Sequence, residues 1–169
     1  LQGNLSKGLA LVSRAVATRT TLPITQNILM ETDQSMLKLS ATNLELSIST
    51  WVGAKVAENG AVTLPARLMT DFVNSLPNEQ VDMEFTPRPL GVRFNCAKFE
   101  AHINGIDAED FPPRPSVEEG VTARVDPVVL RSAINRVVLA AATEETRLVL
   151  TGVKLEISRK SFTLAGADG

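Results

Sequence analysis

Slid on itself by 125 positions, the chain aligns NLSKGLALVSRAVATRTTLPITQNILMETDQSMLKLSATN with VLRSAINRVVLAAATEETRLVLTGVKLEISRKSFTLAGAD without a gap. Identities fall at Leu5/Leu130, Val12/Val137, Ala15/Ala140, Ala17/Ala142, Thr18/Thr143, Thr21/Thr146, Glu31/Glu156 and Leu39/Leu164. At other positions the residue class usually matches, as at Leu9/Ile134, Leu37/Phe162 and Asn43/Asp168. A period of this length is that of a domain, too long for a solenoid unit. The 169 residues therefore divide into one domain, 1–117, and the start of a second copy, 118–169. The repeat also implies continuation at both ends. VTARV, Val121 to Val125, is a plausible strand whose counterpart would precede Leu1, and the second copy stops just after a strand.

Hydrophobic periodicity points to an α+β fold rich in antiparallel strands. ILMET, MLKLSATN and LELSISTWVGAKV alternate apolar and polar residues, as half-buried strands do. AVTLP follows, then a helix over Ala66 to Ser75, then VDMEF, LGVRFN and KFEAHI, punctuated by Pro87, Pro89, Asn95 and Gly105. LSKGLALVSRAVATR, Leu5 to Arg19, has the spacing of a helix, and Asp126 before Pro127 is an N-cap and first-turn pair that starts another. DFPPRPSVEEG, Asp110 to Gly120, is proline-rich and charged, the composition of a linker.

At about 100° per residue, Leu5, Leu9, Val12 and Val16 form one apolar stripe, with Lys7 and Arg14 on the opposite side. In the second helix Met69, Phe72, Val73 and Leu76 share a face while Arg67 and Asn74 point away. In the third, Leu130, Ile134, Val137 and Ala141 are the expected core face, and Arg131 and Arg136 flank the outward Ser132 and Asn135. These helix faces thus carry five basic residues, Lys7, Arg14, Arg67, Arg131 and Arg136, against one acid, Asp71, in a chain with 19 acids, 17 bases and a net charge of −2. A solvated face normally mixes signs, because i,i+4 pairs of opposite charge add helix stability. A bias of one sign on three helices suits a polyanion, whose phosphates reward Lys and Arg through counterion release.

Composition narrows the polyanion and excludes other chemistry. Aromatic residues make up 4% of the chain, with no Tyr and Trp51 alone on a strand, so no stacking platform for single strands or RNA is apparent. No zinc-finger, basic-zipper or helix-turn-helix spacing is present, which leaves backbone contact with a duplex, blind to sequence. One cysteine, Cys96, and one histidine, His102, exclude a disulfide framework and a four-ligand Cys/His zinc site, and the cysteine usage is that of a cytoplasmic protein. Both residues read as structural. No P-loop, GxGxxG or Ser/His/Asp arrangement occurs, so no catalytic residue, metal or cofactor is assigned. Asp107, Glu109 and Asp110 could bind a cation for a nuclease, but solvated loop charges explain them more cheaply, as they do Glu118, Glu119, Glu144 and Glu145. No apolar run approaches a membrane span of roughly 18 residues. The alternative to a DNA role is a protein-interaction domain with incidental helix charges.

Five short stretches in order, RTTLP (Arg19 to Pro23) with the following Asn27 and Ile28, LSATNLE (Leu39 to Glu45), TLPAR (Thr63 to Arg67) and DFP (Asp110 to Pro112), resemble the bacterial sliding clamp family, the β subunit of DNA polymerase III. The resemblance spans essentially the whole chain. It implies a subunit of three such domains that dimerises head to tail into a ring, with sheets outside and helices lining a hole for duplex DNA. It implies no catalysis of the subunit's own but processivity for the polymerase holoenzyme. Arg19 matches a family position that touches DNA, and Arg67 a basic position at the start of the second helix. Lys7, Arg14, Arg131 and Arg136 join them from the face analysis. Arg147, Leu150 and Gly169 match positions of a pocket where the catalytic subunit, the clamp loader and other partners dock a short peptide. Ala167 departs from the family's Thr. The edge strand around Ala101 to Ile103 matches the family's subunit interface.

Overall fold

In a computed structural model the described residues are 1–113, 120, 122–158 and 161–169. They form two compact units, Leu1–Pro115 and Ser116–Gly169. The linker's 114–119 and Val121, like the boundary between 117 and 118, lie outside the described residues.

The first unit opens with α1 (Gln2–Val12), prolonged by a 3-10 turn at Ser13–Ala15. The helix therefore begins three residues before the expected Leu5 and stops short of Arg19. Val16 is extended, with ψ 132°, and the Ala17 amide turns away to donate to the Thr25 carbonyl at 3.1 Å. A four-stranded antiparallel sheet follows, from β1 (Asn27–Asp33), β2 (Met36–Thr42), β3 (Ser47–Gly53) and β4 (Ala61–Pro65), in the order β3-β2-β1-β4. Then come α2 (Ala66–Ser75) and an antiparallel sheet of β5 (Asp82–Pro87), β6 (Leu90–Cys96) and β7 (Phe99–Asn104).

Alternation in the strands becomes one core. Ile28 and Met30 of β1, Leu37, Leu39 and Ala41 of β2, and Val62 and Leu64 of β4 meet Leu5, Leu9 and Val12 of α1. Met69 and Val73 of α2 join Val92, Phe94 and Ile103 from the smaller sheet, and Phe72 meets Phe94 edge-on at 5.8 Å. Gly8 lets α1 lie close on the sheet, since a Cβ there would sit 2.7 Å from Val52 Cγ2 and 3.1 Å from Leu39 Cδ1. The sheets are stitched by Thr63 and Ile106, which exchange two backbone hydrogen bonds of 3.0 Å. On the opposite face of the larger sheet Ile24, Leu29 and Phe111 form a second buried cluster. The start of the supposed linker is thus part of the fold: Phe111 is anchored, and Asp107 caps the turn before it by accepting the Glu109 amide at 3.0 Å.

The second unit repeats the first. α3 (Pro127–Val137) and the 3-10 turn Val138–Ala140 are displaced from α1 and its extension by the same interval as the sequence repeat. So is the Ala142 amide to Leu150 carbonyl bond of 2.9 Å, the counterpart of Ala17 to Thr25. β8 (Lys154–Ile157) and β9 (Phe162–Ala165) pair Leu155 with Leu164 just as Met30 pairs with Leu39. Asp126 is the N-cap of α3, accepting the amides of Val128 and Val129 at 2.8 and 3.1 Å. Two expectations fail here. Thr122 to Val125 form no strand, having no ladder partner among the described residues. Leu130, Val137 and Ala141 are only half-buried and Ile134 is exposed, because one two-stranded ribbon cannot enclose a helix face.

Candidate nucleic-acid interface

α1 and α2 lie side by side, the start of one beside the end of the other. Gln2 Nε2 donates to the Val73 carbonyl at 2.8 Å, Ser6 Oγ to Asn74 Oδ1 at 2.7 Å, and the Gly3 amide to Asn78 Oδ1 at 3.2 Å. Their apolar faces go to the sheets, so Lys7, Arg14 and Arg67 are left exposed on the helical side of the unit. Among the described residues no carboxylate lies within ion-pair distance of Lys7, Arg14 or Arg19. Arg67 is different. Its Nε stands 3.7 Å from Asp71 Oδ2, the i,i+4 pair that the helices were expected to forgo. With side-chain exposures of 96% and 70% this pair is screened by solvent and leaves the guanidinium available. The spacing Arg67 to Asp71 could have been read from the sequence.

The acids lie mostly elsewhere. Glu31 and Asp33 are on β1, Glu84 on β5 and Glu100 on β7, where Lys38 and Arg93 pair with them. Glu109 and Asp110 sit on a 3-10 turn rather than in a loop, facing solvent. Trp51 is not isolated: its Nε1 donates to Asp33 Oδ2 at 2.8 Å and Lys38 Nζ lies 5.3 Å from its ring centroid, so the strand face carries a paired cluster that composition did not reveal.

Arg19 follows the 3-10 turn in a loop that the Ala17 to Thr25 hydrogen bond closes. It is exposed, at the rim of a segment whose other end is buried at Thr25. In the second unit Arg131 and Arg136 are exposed on α3, and no described carboxylate pairs with either.

Arg147, Leu150 and Gly169 come together. A Cβ built on Gly169 would lie 3.2 Å from Arg147 Nη1 and 3.8 Å from Leu150 Cδ1. Arg147 sits at a kink with φ −132° and ψ 82°, and Gly169 has φ +120°, a conformation open to glycine. β7 is an edge strand, but the two residues assigned to an interface there differ: Ile103 is 3% exposed with its side chain in the core, and Ala101 is half-buried. Only backbone and outward neighbours can reach a partner at Ile103.

Cys96 is buried near the Pro77 carbonyl, while His102 is exposed with Nε2 2.7 Å from Thr86 Oγ1. Among the described residues no group of three or more His, Cys, Asp or Glu side chains is placed to hold a metal ion, and no helix is long and apolar enough to cross a membrane.

Comparison with known proteins gives matches in succession to the DNA polymerase III beta subunit N-terminal domain, over residues 2–115, and central domain, over residues 124–169. The chain is 38% identical to the beta sliding clamp of Synechocystis sp., covering 99% of this chain and 45% of that protein. It is 34% identical to that of Pseudomonas putida, over 98% and 45%. A crystal structure of a DNA polymerase III beta subunit from Eubacterium rectale is similar with a TM-score of 0.91 and 29% identity, covering 99% of this chain and 45% of that one. A sliding clamp from Bartonella birtlesii bound to griselimycin is similar with a TM-score of 0.87 and 25% identity, over 99% and 45%. The chain thus spans about 45% of the length of these relatives.

Proposed function

The chain belongs to the DNA polymerase III beta subunit family, and from that premise we propose that it forms part of a sliding clamp, with residues 1–117 the first clamp domain and 118–169 the start of the next. The clamp encircles duplex DNA, tethers the polymerase and performs no catalysis of its own. The observation that carries this reading is the exposed helical side of the first unit, where among the described residues Lys7 and Arg14 have no carboxylate within ion-pair distance and Arg67 has one, Asp71. Arg19, Arg131 and Arg136 extend the cationic contact. Such side chains gain from phosphate neutralisation without reading bases, and water-bridged backbone contacts let a closed ring slide. A protein-interaction domain with no DNA role leaves this segregation of charge without a cause.

Arg147, Leu150 and Gly169 take a linear peptide from the polymerase catalytic subunit, the clamp loader or other partners. The approach of the Arg147 and Leu150 side chains to Gly169 in the second unit supports this. The β7 edge around Ala101 to Ile103 serves the homodimer, and the clamp works in the cytoplasm.

Encirclement is tested by loading the complete clamp onto nicked circular duplex and separating bound from free protein by gel filtration. The clamp stays with circular DNA and is lost when a single cut linearises it. Equal retention on both forms overturns the reading.

A further inference from the structure

We infer that Thr25, acting with Thr20, is the positioning residue that holds Arg19 against the DNA backbone. The inference rests on the clamp reading and on a feature of the loop that the reading does not use. Thr25 is fully buried, yet its hydroxyl is the hub of the nine-residue segment that carries Arg19. Oγ1 lies 2.8 Å from the Leu22 carbonyl and 3.0 Å from Thr20 Oγ1, its one proton serving either in turn, and Thr20 Oγ1 lies 3.2 Å from the same carbonyl. Thr20 Oγ1 accepts the Leu22 amide at 2.9 Å, and the backbone amide of Thr25 donates to the Leu22 carbonyl at 3.0 Å. The Ala17 to Thr25 bond closes the base. Arg19 is therefore presented from a cross-braced loop, and less backbone freedom is lost when its guanidinium meets a phosphate.

The repeat supplies an internal control. In the second unit the closing bond persists as Ala142 to Leu150, but the position of Arg19 holds Glu144, that of Thr20 holds Glu145 and that of Thr25 holds Leu150. At the position of Arg19 the cation is absent and the hydroxyl pair is absent as well, the loop's own Arg147 standing instead at the position of Leu22. Loop closure alone evidently needs neither hydroxyl, so the brace serves what the loop carries.

The experiment measures affinity of the complete clamp for a fluorescein-labelled linear duplex as a function of KCl. Arg19→Ala lowers the log–log salt slope by about 0.9, one phosphate contact. Thr25→Val lowers it by at least half as much, Thr25→Ser keeps the parent slope, and Thr25→Val adds nothing in the Arg19→Ala background. Thr20→Val, at a half-buried site, removes the brace from its other end and gives the same result if Thr25→Val fails to fold. A parent slope in both valine variants, or losses that simply add to that of Arg19→Ala, overturns the inference and leaves the clamp reading intact. An unchanged slope in Arg19→Ala itself overturns it too. Retention of the clamp on circular over linear duplex then reports separately whether the clamp reading stands.

Discussion

Gly8 shows how one residue sets the distance between layers. Any side chain there meets Val52 and Leu39, both deep in the core, so Gly8→Ala forces α1 away from the sheet or those side chains off their rotamers. The expected loss is about 1–3 kcal/mol of unfolding free energy, read as a lower urea midpoint. Asp126 is the opposite case, a surface residue whose role is wholly local. Its carboxylate serves two orphan amides at the start of α3, and Asp126→Ala costs about 1 kcal/mol, seen as faster hydrogen exchange at Val128 and Val129. Asp126 was legible because Asp-Pro before an apolar-periodic run has one local meaning. Thr25 was not legible, since its role depends on burial and on a partner five residues away that no periodicity marks.

At the scale of elements, β1 to β7 and α2 could be read from the sequence because alternation and helical spacing there mostly coincide with real burial, β5 with its exposed Phe85 being the exception. Where neighbours were needed, the reading failed. The apolar face of α3 is only half covered, Thr122 to Val125 have no ladder partner among the described residues, and Phe111 turned a segment of linker composition into an anchored one. The β1–β2 turn was also hidden: Gln34 and Ser35 both have positive φ, 47° and 62°, without the glycine that usually signals such a hairpin. β7 carries a prediction of its own. Because Ile103 points into the core, Ile103→Ala costs roughly 2–5 kcal/mol of stability by thermal or urea unfolding. It weakens any ring assembly through folding, whereas changes at the exposed Glu100 and His102 leave the unfolding transition in place.

For the whole molecule, the sequence repeat was the most dependable guide, since helix limits, a loop-closing hydrogen bond and strand register all recur at the same interval in the two units. Charge completes the picture: in an acidic chain the first unit exposes Lys7, Arg14 and Arg67 on its helices and pairs Lys38 and Arg93 with acids on its strands. The most direct test reverses three helix-face cations of the first unit together, Lys7→Glu, Arg14→Glu and Arg67→Glu, in the complete clamp. Dissociation of the loaded ring from nicked circular DNA is then timed over a series of salt concentrations, with binding of a partner-derived peptide as control. The account predicts loss at least about tenfold faster, a salt slope lowered by roughly 2 to 3, and unchanged peptide affinity. Parent-like dwell time and salt slope, in a ring that still binds peptide, would contradict it.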